Sequence, residues 1–308
     1  MVGGDGTSDR LGDLLPLRAL GNTGRSVTML GTGGAHVGRT ESESEAQAII
    51  ETALEGGVRF FDTAHSYQGG RSEERYGKYL TPAYRDLIFL MTKSTAKDAK
   101  TAEAHLEESL RRMRTNFLDL WQVHSLKDPD DADARISNGV VEVFEKAKAS
   151  GKVRHIGFTG HSSPYAHLRM LERTDVFETT QMPINCADPS YQSFVINVLP
   201  ELSKRGMGAL AMKTLSNGGF FGGSKQYQHG PNPLLVPDRV SISEALSFSW
   251  SLPISVLITG ADNAEQMKQK IDIARSFSPL NSDGRQEIVD RVADRAGSIV
   301  EFYKTKVG

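Results

Sequence analysis

Cysteine is nearly absent from this chain, which has one residue of that type, Cys186, among 308. A single thiol cannot form an intrachain disulfide, and the composition suits a reducing compartment, so we expect a cytoplasmic protein. A lone cysteine is also a candidate nucleophile, but the segment PINCADP places no basic residue beside Cys186 to favour its thiolate. The chemistry of the protein is therefore expected to lie with other side chains.

Long apolar runs and an excess of either charge are missing as well. No stretch approaches the roughly 20 apolar residues that a membrane-spanning helix requires. The chain carries 36 Lys and Arg against 38 Asp and Glu, a net charge of −2, which gives no electrostatic basis for binding nucleic acid or an anionic membrane surface. Small molecules remain as partners, and the sequence leaves the oligomeric state open.

The amino-terminal sequence MVGGDGTSDRLGDLLP lacks the basic and apolar regions of a secretory signal. We expect residues 1–16 to form a flexible tail and residues 17–308 to form one domain. The 308 residues, of which 38% are hydrophobic and 24% charged, suffice for a (β/α)8 barrel, which needs roughly 250.

Short apolar segments alternate with amphipathic segments along most of the chain, which is typical of strand–helix units. The predicted strands span residues 27–30, 58–61, 87–92, 118–123, 153–159, 177–182, 208–212 and 255–258. The predicted helices span residues 43–56, 71–80, 101–114, 139–150, 163–172, 192–204, 241–250 and 263–274. Eight alternations favour a closed TIM barrel of the α/β class. An open sheet would need a phosphate-binding fingerprint after its first strand, and GTGGAH at residues 31–36 does not match G-x-G-x-x-G.

Three segments fall outside the regular alternation. The sequence GNTG at residues 21–24 predicts the turn of an N-terminal β-hairpin, which we expect to cover the bottom of the barrel. A long loop at about 216–240 is rich in Gly, Asn and Pro and follows a strand, so we expect a binding loop or lid, with Tyr227 and His229 as candidate pocket residues. An extra C-terminal helix is expected at about 284–303, outside the barrel.

Ionisable side chains follow three of the predicted strands. Asp62 ends the run VRFFD, Tyr67 comes five residues later, Lys93 ends LIFLMTK and His124 ends LDLWQVH. In parallel α/β folds, ligands bind at the carboxyl ends of the strands. Asp62 alone is equally well explained as a turn residue, but the four residues together predict a single site.

A tyrosine beside a lysine is suited to donate a proton. The pKa of tyrosine is ordinarily near 10; a nearby ammonium stabilises the phenolate, and an aspartate paired with the lysine holds that ammonium in place. His124 is expected to hydrogen-bond a substrate carbonyl beside Tyr67, and a carbonyl polarised by two donors accepts a hydride or another nucleophile. A hydrolase or lyase site is less favoured, because no metal-ligand cluster or carboxylate pair stands at the strand ends.

The motifs that carry these residues resemble those of the aldo/keto reductase family, in its order and spacing from about Leu17 to Lys270. They are LRALGNTGRSV, MLGTGG, GVRFFDTAHSYQGG, LMTKS, LEESLRRMRTNFLDLWQVH, GKVRHIGFTGH and ITGADNAEQ. The resemblance implies a (β/α)8 barrel that binds a nicotinamide dinucleotide without a Rossmann motif and reduces aldehydes or ketones. It implies that Tyr67 is the general acid, that Lys93 and Asp62 lower its pKa, and that His124 orients the carbonyl.

The same resemblance implies a set of cofactor-binding residues. Gly31 and Thr32 match the turn near the nicotinamide ribose. Gln181 matches the residue that binds the carboxamide, beside Thr159 in place of the usual serine. The segment AMKTLSNGG supplies three more: Met212 in place of an aromatic side chain, Lys213 near the pyrophosphate, and Leu215.

The segment ITGADNAEQMKQK departs from the family. Many members hold the 2′-phosphate with a lysine, a serine and an arginine, where this chain has Gly260, Ala261 and Gln266, with Asp262 between them. An acid near the 2′ position repels phosphate and accepts a ribose hydroxyl instead. Lys270 is a candidate to restore one positive charge. NADP is therefore the first expectation, with NAD as the alternative.

A second function on the same barrel stays open. Potassium-channel β subunits, which the family includes, suggest a cofactor-binding regulatory subunit with little turnover. The complete Asp–Tyr–Lys–His set favours an enzyme that acts on a small carbonyl substrate. His65 and His161 also lie near strand ends, where His65 is as consistent with a turn as with substrate contact and His161 with shaping its loop.

Overall fold

Two short antiparallel hairpins precede the barrel in the computed structural model, which describes residues 7–221, 234–236, 238–297 and 299–304. The first hairpin pairs β1 (Ser8–Asp9) with β2 (Gly12–Asp13), and the second pairs β3 (Leu17–Ala19) with β4 (Ser26–Thr28). The expectation of a loose tail through residue 16 is wrong for residues 7–16. The buried Arg59 needs an anionic partner and donates two hydrogen bonds, of 2.6 and 2.8 Å, to the Asp9 carboxylate.

Eight parallel strands close the barrel in chain order, which confirms the predicted fold. They are β5 (Leu30–Gly33), β6 (Phe60–Asp62), β7 (Phe89–Ser94), β8 (Leu118–Leu126), β9 (Val153–Gly160), β10 (Thr179–Pro183), β11 (Gly208–Met212) and β14 (Val256–Thr259). A small separate hairpin of β12 (Leu234–Leu235) and β13 (Val240–Ser241) lies between β11 and β14 in the chain. Because every strand runs the same way, the carboxyl ends of all eight lie at one mouth of the barrel.

Helices surround the barrel and bury their apolar sides against it. They are α1 (Gly34–Arg39), α2 (Glu43–Glu55), α3 (Arg71–Tyr79), α4 (Thr81–Tyr84), α5 (Ala99–Arg112), α6 (Pro129–Ser137), α7 (Val140–Ala149), α8 (Pro164–Arg173), α9 (Phe194–Asn197), α10 (Leu199–Arg205), α11 (Ile242–Trp250), α12 (Ala264–Arg275) and α13 (Ser282–Val292). Capping boxes start two of them, Ser42 with Glu45 on α2 and Ser241 with Glu244 on α11. None of the helices in the described ranges is long and apolar enough to cross a bilayer.

The barrel interior is filled by apolar side chains. These are Leu20, Val27, Phe60, Phe89, Met91, Leu120, Leu210, Val256 and Ile258. Leu20 and Val27 come from the β3–β4 hairpin, whose turn also bonds to Gly206 just before β11. The hairpin therefore closes the amino-terminal end of the barrel, as its turn sequence predicts.

Local element bounds depart most from prediction at the first barrel strand and in the segment after β10. The first barrel strand is residues 30–33 rather than 27–30, and Gly34 then opens α1, where no helix was expected. Gly31 has to be glycine for packing, since an added Cβ would lie 2.7 Å from the Phe60 ring. The helix predicted over residues 192–204 is broken into α9 and α10 at Val198, ahead of Pro200.

The C-terminal helix is shorter than predicted. It ends at Val292 instead of continuing to residue 303, and Gly297 follows in the left-handed region at φ +81°. Residues 299–304 then return to the barrel as a strap, where the buried Lys304 ammonium bonds to Asp188 at 2.7 Å and to Glu301 at 2.9 Å. The charge of Lys304 needs these carboxylates, so it anchors the strap.

The long loop predicted at about 216–240 is described in part. Residues 216–221 form a 3₁₀ segment three residues after β11 ends, and β12 and β13 pair at the loop's end. Residues 222–233 and 237 lie outside the described residues, and the candidates Tyr227 and His229 are among them.

Candidate active site

The carboxyl ends of β6 and β7 hold a buried ion pair. Asp62 is the last residue of β6, and Lys93 lies on the adjacent β7. The Lys93 ammonium pairs with the Asp62 carboxylate, and both side chains are almost fully buried. The same ammonium donates to the Thr63 carbonyl oxygen at 2.7 Å. These contacts fix its position at the mouth of the barrel.

Tyr67 lies directly beside this pair. It begins a 3₁₀ turn, Tyr67–Gly70, and its hydroxyl lies 3.4 Å from the Lys93 amine. The His124 ring meets the Tyr67 ring edge-on, with their centroids 5.7 Å apart. The structure therefore brings all four predicted side chains, Asp62, Tyr67, Lys93 and His124, into one cluster.

Burial and charge act in opposite directions on the pKa values of this cluster. Burial lowers the pKa of the Lys93 ammonium, but Asp62 and Tyr67 outweigh it, so that pKa is raised and Lys93 is charged at neutral pH. Burial also raises the pKa of the Tyr67 hydroxyl above its ordinary value; Lys93 opposes this effect, whereas the Asp62 charge adds to it. The expectation that Lys93 and Asp62 lower the pKa of Tyr67 is thus wrong for the pair: Lys93 lowers it, but the Asp62 charge raises it and burial raises it further.

His124 is a neutral hydrogen-bonding group. Burial lowers its pKa well below the ordinary value, and the charges of Lys93 and Lys213 lower it further. Its buried Nδ1 has no partner among the described residues. A neutral imidazole carries one N–H donor, so His124 can donate to an oxygen without taking a proton from Tyr67.

Several predicted cofactor residues border the same cluster. The Gln181 amide nitrogen lies 3.5 Å from Asp62 Oδ1, and Thr159 pairs in register with Gln181 across β9 and β10. Buried polar atoms without a partner in the described chain include Gln181 Oε1 and Thr32 Oγ1. Met212 is half-exposed at the end of β11. Unsatisfied buried groups are uncommon, so these atoms suit a polar ligand.

A small cavity adjoins the ends of β11 and β14. It measures about 80 Å³, the room of two or three waters. Its lining residues are His36, Lys213, Thr214, Leu215, Asn217, Ile258, Thr259 and Gly260. Burial lowers the pKa of the Lys213 ammonium to about 8, and this cation lies 5.0 Å from the Tyr303 ring.

The loop after β14 is held by contacts that involve its predicted residues. Asp262 pairs with His36 at 2.8 Å, and the Asp262 backbone N–H donates to Gln266 Oε1 at 3.0 Å. Lys270 is only 3% exposed and donates to the Gly260 carbonyl oxygen. The Lys270 ammonium thus helps to fix the conformation of this loop.

Two residues of the site were missed by sequence reasoning. His36 packs against Gly260, where an added Cβ would lie 2.0 Å from its ring. Tyr303 on the C-terminal strap meets the His161 ring at a centroid distance of 6.1 Å. His36 follows the first glycine-rich segment, which was a usable signal; nothing local marked Tyr303, since it reaches the mouth only through the long-range fold of the strap.

The mouth of the barrel carries several hydrogen-bond donors. A charged lysine, a tyrosine and a neutral histidine lie together there, and such donors can polarise a carbonyl. The chain belongs to the aldo/keto reductase family, whose model matches residues 29–290. Membership makes the protein an NAD(P)H-dependent oxidoreductase of carbonyl compounds.

Individual relatives are distant in sequence. The chain is 25% identical to L-galactose dehydrogenase of Arabidopsis thaliana, over 90% of this chain and 93% of that protein. Among solved structures, the holo form of an aldo-keto reductase from Bacillus halodurans is 23% identical, with a TM-score of 0.74 over 90% of this chain and 96% of the other. An aldo-keto reductase from Klebsiella pneumoniae in complex with NADPH is 20% identical, with a TM-score of 0.70 over 90% and 94%. These structures support the same fold.

Proposed function

We propose that the protein is an NADPH-dependent reductase of aldehydes or ketones in which Tyr67 is the general acid. The observation that carries the proposal is the Lys93 ammonium, paired with Asp62 and 3.4 Å from the Tyr67 hydroxyl, beside a neutral His124. A buried ammonium at this distance stabilises the phenolate that forms when Tyr67 gives up its proton.

The residues divide the reaction between them. Tyr67 and His124 both donate hydrogen bonds to the carbonyl oxygen, which draws electron density from the carbonyl carbon. A bound nicotinamide would supply the hydride to that carbon. As the C=O π electrons move onto oxygen, Tyr67 transfers its proton there and becomes a phenolate held by Lys93. Water then returns a proton to Tyr67.

Cofactor binding is assigned to the residues that border this cluster. Gln181 and Thr159 would bind the carboxamide, with Gly31 and Thr32 near the nicotinamide ribose. Met212 would pack on the ring, since a thioether packs well against aromatic groups. The cavity residues Lys213 and Leu215 would face the pyrophosphate, and Lys213 contributes charge.

The residues assigned to the adenosine end of the cofactor favour NADP over NAD less clearly. Asp262 and Gln266 would lie near the 2′ position, and the Asp262 carboxylate is fixed there by His36 at 2.8 Å. The NADPH complex of the Klebsiella relative supports NADP as the first choice, and the Asp262 charge keeps NAD as the alternative.

Sugars are the first substrates to test. The Arabidopsis relative is named for L-galactose, so we propose small aldoses and hydroxyaldehydes as the substrate class. The buried single thiol is consistent with a cytoplasmic enzyme.

The test is NADPH oxidation by the purified protein with glyceraldehyde, galactose and a simple aromatic aldehyde. We expect turnover that falls about 10²- to 10⁴-fold in Tyr67→Phe. Tyr165→Phe is the matched control, because Tyr165 is exposed on α8 and should leave the rate unchanged. Tight NADPH binding without turnover on any carbonyl would instead support a regulatory subunit and contradict the proposal.

A further inference from the structure

A basic pocket lies outside the barrel, between α3 and the carboxyl end of α5. It has a volume of about 360 Å³ and is lined by Glu43, Arg71, Glu74, Arg75, Lys78, Arg111, Arg112 and Arg114. Six of the eight lining side chains are cationic. The volume falls within the range of small-molecule sites.

Three of the six cations already have carboxylate partners. Arg75 and Lys78 both bond to Glu43, at 2.8 and 3.1 Å. Arg112 bonds to Glu73 at 3.2 Å and to Glu108 at 2.8 Å. These ion pairs stabilise the fold itself, and they leave little uncompensated positive charge on the three side chains.

The other three cations have weaker carboxylate contacts or none. Arg71 uses its Nε to donate to the Gly38 carbonyl oxygen at 2.7 Å. Arg111 comes within 3.7 Å of Glu108, a carboxylate that Arg112 already occupies. The Arg114 side chain forms no hydrogen bond or ion pair with the described parts of the chain. All three are exposed at the pocket, against one unpaired carboxylate, that of Glu74.

Helix physics explains only part of this arrangement. Arg111 and Arg112 lie in the last turn of α5, where positive charge is favourable. Arg71 is the first residue of α3, the end of a helix that disfavours positive charge. Arg114 occupies a left-handed position at φ +50°, where glycine is the usual choice. Arg71 is compensated by its bond to the Gly38 carbonyl oxygen near the carboxyl end of α1, so Arg114 is the cation that local folding explains least.

We infer that this pocket binds a small anion that carries two or more phosphate groups. Guanidinium groups bind phosphate oxygens in pairs of parallel hydrogen bonds, so several arginines that line one pocket suit a phosphate ligand. Arg71, Arg111 and Arg114 supply the free donors, and a diphosphate would neutralise the excess positive charge. The concave shape favours a small molecule over an extended acidic chain.

The pocket adjoins the turn that carries Tyr67. Arg112 donates to the His65 carbonyl oxygen at 3.2 Å, two residues before Tyr67. Its guanidinium also packs on Gly70, the last residue of the turn, where an added Cβ would lie 2.3 Å from Arg112 Cζ. A bound anion would thus contact the arginine that supports the catalytic turn. The binding inference itself does not depend on the proposed reaction.

Inorganic pyrophosphate is the probe, titrated calorimetrically at about 0.15 M salt with saturating NADP⁺ present so that the cofactor's own phosphate sites are filled. We expect one pyrophosphate bound per chain, with affinity about tenfold or more weaker in R111S/R114S, because each lost charge-assisted hydrogen bond weakens binding by that order. K100S/K146S is the matched control: it removes two exposed lysines that line a separate cavity between α5 and α7.

Arg114→Gly separates binding from folding. Glycine accepts φ +50° without strain, so this variant should unfold at the same temperature as wild type or higher, yet bind pyrophosphate more weakly. No heat of binding to wild type at millimolar pyrophosphate would overturn the inference. Equal weakening in R111S/R114S and K100S/K146S would overturn it too, since it would reduce the effect to overall charge.

Discussion

Replacing Lys93 by methionine tests the buried ion pair at the base of the site. In the wild type, Asp62 has two polar neighbours, the Lys93 ammonium and the Gln181 amide nitrogen at 3.5 Å. Burial raises the pKa of Asp62, and Lys93 opposes that effect. Lys93→Met therefore leaves a buried carboxylate with little to compensate it.

The free energy that is lost by leaving the Asp62 carboxylate buried and unpaired has an upper limit. Breaking a buried pair from one side destabilises a protein by about 3–5 kcal/mol. Asp62 can escape the penalty by taking up a proton, which costs about 4 kcal/mol at pH 7 for a group with an ordinary pKa near 3.9. We therefore expect Lys93→Met to lower the free energy of unfolding by about 4 kcal/mol at pH 7.

The stability of Lys93→Met should depend on pH, because the Asp62 carboxyl takes up a proton. In the variant, the folded pKa of Asp62 lies above its unfolded value, so the folded state binds more protons and gains stability as pH falls. At pH 5 the cost of protonation is only about 1.5 kcal/mol, so the loss relative to wild type should shrink by about 2–3 kcal/mol.

Urea unfolding of wild type, Lys93→Met and the double variant Lys93→Met/Asp62→Asn at pH 7 and pH 5 measures these differences. The double variant should recover most of the lost stability at pH 7 but not turnover, because Tyr67 still lacks its ammonium. A loss that does not change between the two pH values, or a double variant as unstable as the single one, would refute the reasoning.

Three further predictions concern other parts of the chain. Asp262→Ser removes a negative charge proposed to lie near the 2′-phosphate, so the affinity for NADPH should rise relative to NADH by about fivefold, or ~1 kcal/mol, in fluorescence titrations. Asp9→Asn weakens the hydrogen bonds to the buried Arg59 and should destabilise the fold by about 1–3 kcal/mol at pH 7 in thermal unfolding. Arg59 lowers the pKa of Asp9. The loss of stability should therefore diminish in acid, where wild-type Asp9 itself takes up a proton. Burial raises the pKa of the Cys186 thiol to about 12, so iodoacetamide should label it in urea and not in the native protein.

Strand-end chemistry was the most predictable part of this molecule. A strand is read from a local apolar run, and β11 at Gly208–Met212 matches its predicted bounds. Parallel strands bring their carboxyl ends to one mouth, which is why Asp62, Lys93 and His124 were expected to meet before any contact was known. The expected lowering of the Tyr67 pKa was wrong, because burial outweighs the effect of Lys93 and the Asp62 charge adds to burial. The extent of that burial depends on packing that a sequence does not contain.

Glycine-rich segments and long-range contacts were harder to predict from the sequence. The first barrel strand, Leu30–Gly33, contains two glycines, which have low β propensity and hide a strand from pattern reading. The partners His36 and Asp262 are 226 positions apart, and Lys304 and Asp188 are 116 apart. Such pairs form because the barrel closes and the strap returns to it, so no local pattern in the sequence predicts them.

A crystal structure of the NADP⁺ complex tests the central claim most directly, because that claim is a convergence of side chains on one nicotinamide. We predict the carboxamide on Gln181 and the reactive ring carbon facing a carbonyl site within about 3–3.5 Å of the Tyr67 hydroxyl. A nicotinamide bound away from the Tyr67–Lys93 pair, with His124 turned from it, would contradict the account.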